Sequence, residues 1–163
     1  MRRKITKLGI TLAMLVGCSG VSLAADSEAA WAAYRQGDYG TAFREWSALA
    51  ERGSTWAEYR LGIMYEQGQG VTQDYREAVR WYRLSAEQGY GLAQSNLGFM
   101  YEHGQGVAQD YIYAHMWYNV AASQGFRAAE TWRRDIARMM TAAQIAKAQE
   151  LAKLCLAKNF KGC

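Results

Sequence analysis

Proline is absent from all 163 residues. Nothing in the chain therefore interrupts a helical hydrogen-bond ladder from within, which fits a nearly all-helical protein with compact turns. Histidine occurs twice and cysteine three times. No His-Glu-x-x-His, Cys-x-x-Cys or Gly-x-Ser-x-Gly pattern is present, so the sequence offers no metal site, no cofactor site and no catalytic residue set. Excess charge is also missing where it would matter. The formal net charge is +4, and Arg2, Arg3, Lys4 and Lys7 supply all of it. From Ala25 onward 15 basic residues balance 15 acidic ones, which leaves no general electrostatic footprint for nucleic acid. The balance hides an asymmetry: residues 26–126 hold 12 acids and 7 bases, residues 127–163 hold 3 acids and 8 bases. The basic end reads as a solvated helical face with cations near helix C-termini.

The one strongly apolar run, LGITLAMLVG, follows a basic start and precedes Ser22-Leu23-Ala24. This is the pattern of a secretory signal peptide over 1–24, too short to be a committed transmembrane helix. Leu15-Val16-Gly17-Cys18 within it is similar to a bacterial lipobox, so lipidation at Cys18 is the alternative route, and membrane attachment is expected only by that route. Release after Ala24 is the expectation, giving a periplasmic or secreted protein of residues 25–163. Cys155 and Cys163 then remain, and in an oxidising compartment they are expected to form a disulfide. A continuous helix would hold their Cα atoms about 12 Å apart, beyond the roughly 7 Å that a disulfide spans. The chain must turn back between them, and Asn159 and Gly162 are the residues that permit it.

EQGQGVTQDY at 66–75 returns as EHGQGVAQDY at 102–111. No Lys-Ser/Thr closes either glycine stretch and no third glycine completes a dinucleotide pattern, so these are not phosphate loops. They belong to a longer repeat: residues 57–92 and 93–128 agree at 19 of 36 positions. Ala57, Leu61, Met64 and Tyr65 share one helical face, then Ala78, Trp81, Tyr82 and Ala86 share another, with counterparts 36 residues on. Each unit reads as helix, turn, helix.

The glycines reverse the chain after the first helix, and Asp74 takes the N-cap of the second with Glu77 placed for a capping box. Gly62 and Gly98, inside helices, mark close helix approach. A degenerate copy occupies about 26–56, where Asp38-Tyr39, Ala42, Ala50 and Gly53 keep the register. Beyond 129 the pattern decays into capping helices over 129–163. Trp132, Ile136 and Met140 retain an apolar stripe there. Thr141 to Gln144 forms a capping box opening a last helix that buries Ile145, Ala148, Ala152 and Cys155.

Leu61-Gly62-x-x-Tyr65-x-x-Gly68-x-Gly70-Val71-x-x-Asp74-Tyr75-x-x-Ala78-x-x-Trp81-Tyr82-x-x-x-Ala86-x-x-Gly89 resembles the Sel1-like repeat, a relative of the tetratricopeptide repeat, and Leu97 to Gly125 matches it equally. The resemblance implies an all-α fold, an α/α superhelical solenoid that serves as an adaptor for another protein or peptide. The cysteine pairs found inside the repeats of some exported relatives have no counterpart here. In tetratricopeptide-like solenoids the first helices line the concave side. By that resemblance the partner groove comprises Trp56, Tyr59, Ile63, Glu66 and Gln67, continued by Leu92, Ser95, Phe99, Glu102 and His103. Ile63, Phe99 and Tyr59 are the apolar anchors, and Glu66 and Glu102 favour a basic or amine-bearing segment. His103 and His115 replace Gln67 and Val79 of the other copy and so stand outside the shared framework. The functional expectation is an exported, non-enzymatic interaction module. The alternative is a cell-envelope enzyme or enzyme subunit acting on peptidoglycan or a related ligand, with Glu66 and Glu102 mimicking a hydrolase pair.

Overall fold

The computed structural model describes residues 28–163; the signal peptide expected over 1–24, and Cys18 within it, lie outside the described residues. Eight helices and no strands are present among them. Helix α1 is seen over 28–35. It is followed by α2 (Tyr39–Glu51), α3 (Thr55–Gln67), α4 (Tyr75–Ala86), α5 (Gly91–His103), α6 (Tyr111–Ser123), α7 (Arg127–Ala137) and α8 (Ala142–Ala157). Each helix packs on its neighbour in sequence from α2 through α7. No helix among the described residues is long and apolar enough to cross a membrane.

The repeated ten-residue turn has a mechanical explanation. Gly68 and Gly104 end α3 and α5 in the left-handed conformation, each donating its N–H to the carbonyl of Met64 or Met100. The turn glutamine then folds back. Gln73 Nε2 donates to the Glu66 carbonyl at 2.7 Å, and Gln109 Nε2 to that of Glu102 at 2.8 Å, satisfying helix-end carbonyls that would otherwise lack a partner. Asp74 and Asp110 accept the first free N–H groups of α4 and α6, from Arg76 and Glu77 and from Ile112 and Tyr113. The capping box expected at Glu77 is not formed: its carboxylate bonds Arg80 at 2.9 Å instead. Thr141 and Gln144 do form theirs at the start of α8.

Glycine also sets how closely units stack. A Cβ on Gly70 would collide with the Tyr39 carbonyl, and one on Gly106 with the Tyr75 carbonyl. Each turn therefore sits against the first residue of the preceding unit's second helix. Gly62 and Gly98 leave room for the rings of Tyr82 and Tyr118, as the sequence suggested. Around these contacts runs a core of Leu61, Met64, Leu97, Met100, Met116, Trp117 and Val120, all at most 1% exposed.

The two ends are closed differently. At the first, Arg60 is buried with its guanidinium 4.5 to 4.6 Å from the ring centres of Trp31, Tyr34 and Trp46. At the other end, α7 and α8 both pack on α6 and make no comparable contact with each other. Ala148, Ala152 and Cys155 of α8 are buried, whereas Ile145 is half-buried. After α8 the chain hooks back through positive φ at Asn159, Phe160 and Gly162. The hook brings the Cα atoms of Cys155 and Cys163 to 5.4 Å in a disulfide, and lays the Phe160 ring against Gly89.

Candidate functional site

A cavity of about 420 Å³ opens among α3, α5, α6 and α7. Five expected groove residues line it: Glu66, Ser95, Phe99, Glu102 and His103. The others lie elsewhere. Trp56 packs edge-on against Trp46 and Trp31, and Tyr59 lies between the rings of Tyr82 and Tyr90. Ile63 is half-buried against the core, Leu92 is half-buried, and Gln67 is exposed outside the cavity.

Asn96, Tyr118 and Trp132 complete the lining. None of the three is among the expected groove residues; Trp132 is expected only on the apolar stripe of the decayed third copy. It is 42% exposed, while Ile136 of the same stripe is 1% exposed. A signal for it exists in the register: Arg60, Asn96 and Trp132 are spaced by 36, so α7 presents at this position what α3 and α5 present at theirs. The leucine that should follow is Arg133, whose guanidinium reaches Asn119 Oδ1 at 2.6 Å on α6.

Two equivalent hydrogen bonds orient the site's carboxylates. Tyr82 donates its hydroxyl to Glu66, and Tyr118 donates to Glu102 at 2.7 Å. Both tyrosines are buried, 0% and 1% exposed, and their hydroxyl pKa values are driven far upward, first by burial and then by the neighbouring carboxylate. The phenols thus remain protonated donors and each anchors one carboxylate oxygen. Glycine at 62 and 98 admits the ring that reaches the glutamate four residues further along the helix, so framework and site are one construction.

Aromatic surface faces the carboxylates. Phe99 is 41% exposed and stacks on His103 with ring centres 4.1 Å apart. His103 Nδ1 lies 3.1 Å from the Phe99 carbonyl, which only accepts, so Nδ1 carries the proton. Trp132 leans on Tyr118 and Phe126. His115 is not part of the cavity: it is 3% exposed, its Nδ1 is unpartnered, and its pKa is lowered by burial and by Arg133. No group of three metal-ligating side chains occurs among the described residues.

Helix hairpins stacked at a fixed 36-residue register, sharing turn glutamines and inter-unit glycine contacts, define a helical repeat solenoid. The repeat is the Sel1 repeat, whose family model matches residues 57–90 and 91–126, so the chain carries two Sel1 repeats. Solved structures similar to it include the following two. One is a protective antigen present in uropathogenic Escherichia coli strains and displaying an SLR fold, 29% identical over 84% of this chain with a TM-score of 0.79. The other is a Sel1 repeat protein from Oxalobacter formigenes, 31% identical over 66% of this chain with a TM-score of 0.63. This chain spans 30% of the first and 44% of the second. A search of curated proteins gave no match.

Proposed function

We propose that this protein is an exported, non-enzymatic interaction module that docks a protein or peptide partner on the face formed by α3, α5 and α7. The observation that carries this reading is the cavity. It joins residues from successive repeats, exposes Phe99 and Trp132, and presents two oriented carboxylates without a paired cation among the described residues. Exposed aromatics beside fixed charges are the ingredients of binding hot spots. The Cys155–Cys163 disulfide and the leader-like first 24 residues support an oxidising destination. The acidic pair supports binding over hydrolysis, because its two members are repeat-equivalent residues held by repeat-equivalent tyrosines.

The test is partner capture by the mature chain from envelope extract, compared with Phe99→Ser/Trp132→Ser. A loss of tenfold or more, about 1.4 kcal/mol, with helicity preserved supports the reading. Undiminished capture by the folded double variant moves docking to another face. Peptidoglycan cleavage that disappears in Glu66→Gln or Glu102→Gln would replace the module with an enzyme.

A further inference from the structure

We propose that the cavity between α3, α5 and α7 is a receptor for a guanidinium group, the side chain of an arginine carried by the partner. The inference rests on the docking reading above and specifies its chemistry.

The charged side chains of the cavity are two carboxylates, Glu66 and Glu102, set beside the polar side chains of Ser95, Asn96 and His103. Glu66 and Glu102 each use one carboxylate oxygen, Oε2, to accept from a tyrosine hydroxyl. Neither forms an ion pair with a cation among the described residues, where ion pairs join Glu77 to Arg80, Asp135 to Arg138 and Glu150 to Lys147. Such a lining repels anions and welcomes a multivalent donor.

Shape selects among cations. A metal would require more carboxylates or other ligands than are gathered here, and no such group occurs among the described residues. Lysine brings a compact, strongly hydrated charge with three donors, whereas arginine brings five N–H groups in a plane that stacks on aromatic faces and is more weakly hydrated. Phe99 and Trp132 supply exposed rings on the rim, each about two-fifths exposed. The protein already handles one guanidinium in this way, holding Arg60 over three rings at the position 72 residues before Trp132. Because Tyr82 and Tyr118 fix one oxygen of each acid, little side-chain freedom remains to be lost when an arginine docks, which favours binding.

The experiment is an NMR titration of the mature protein with N-acetyl-arginine amide, N-acetyl-lysine amide and N-acetyl-norleucine amide, following the Trp132 indole N–H and the Phe99 and Glu102 amides. The arginine probe is expected to shift these signals saturably at millimolar concentration. The lysine probe should bind at least fivefold more weakly and norleucine should leave the signals in place. Glu66→Gln/Glu102→Gln keeps an oxygen for each tyrosine to bond and should weaken the arginine probe tenfold or more. Trp132→Leu, followed at Phe99 and Glu102, should weaken it at least threefold. Absence of a saturable shift, equal affinity for lysine or norleucine, or full affinity in the Gln double variant would overturn the receptor. If the probes fail while Phe99→Ser/Trp132→Ser still loses partner capture, docking stands and the guanidinium assignment alone falls.

Discussion

A Cβ at Gly98 would stand 2.7 Å from Tyr118 Cε1 and 3.3 Å from the Ala114 carbonyl. Alanine is favoured over glycine inside a helix by roughly 1 kcal/mol, whereas overpacking a filled site costs about 1–3 kcal/mol. Tyr118 is pinned at its hydroxyl by Glu102, so the ring has little room to retreat and the steric effect should win. Gly98→Ala is therefore expected to lower stability by about 1 kcal/mol in urea unfolding; unchanged or raised stability would mean that the ring slides freely. His115 gives the opposite case. Its Nδ1 is buried without a partner, and the other repeat places Val79 at the equivalent position, 6% exposed in the core. A lowered folded pKa means that the unfolded chain binds the proton more readily, so stability is full above pH about 6.5 and declines as pH falls through the depressed folded value. His115→Val should raise stability by roughly 1–2 kcal/mol at neutral pH, through removal of an unsatisfied buried group. The gain should grow on acidification from pH 7.5 to 5.5, and thermal melts at the two pH values check both the sign and the slope.

Among the elements, the hook after α8 has the clearest energetic origin. The Cys155–Cys163 disulfide closes a short loop that packs Phe160 on Gly89 and Cys163 on the main core. Loop-closure entropy puts its contribution at roughly 2–3 kcal/mol. Cys163→Ser is expected to lower the melting temperature by several degrees, and reduction of the parent protein should do the same without altering the variant. An equal response of both to reductant would remove the disulfide from the account. The need for a chain reversal here was legible, because helix rise and disulfide reach are incompatible over eight residues. That Phe160 would share the left-handed work with Asn159 and Gly162 was not legible, since it depends on the ring finding Gly89 some 70 residues earlier in the sequence. The repeated turn was readable for the same local reason: glycine, glutamine and aspartate act within ten residues of one another. The exposure of Trp132 was not legible, because an apolar stripe shows which residues are hydrophobic but not which neighbour is missing. The short α7 buries only Ala129 and Ile136, so its tryptophan is left facing the cavity.

Across the whole molecule, a solenoid must end somewhere, and the end must hide the face that another repeat would have covered. The final helices here do not continue the repeat geometry: α7 and α8 lie separately on α6, and Ala152 and Cys155 of α8 join the same core as Met116, Trp117 and Val120. Decay of the sequence pattern after 129 marks where the repeat stops, but the choice of α6 as the common support of α7 and α8 arises from tertiary packing that no local pattern encodes. Removal of residues 141–163 should uncover that core while leaving the upstream units intact. Buried apolar side chains contribute about 1.5–3 kcal/mol each when large, and α8 adds smaller ones in number, so a loss of at least about 3 kcal/mol is expected. The truncated chain should retain most of its helicity by circular dichroism, melt at a markedly lower temperature, and elute on size exclusion as dimers or larger species through the bared α6 face. A monomer with unchanged melting would show that α8 is an accessory to the fold and that α7 alone closes the solenoid.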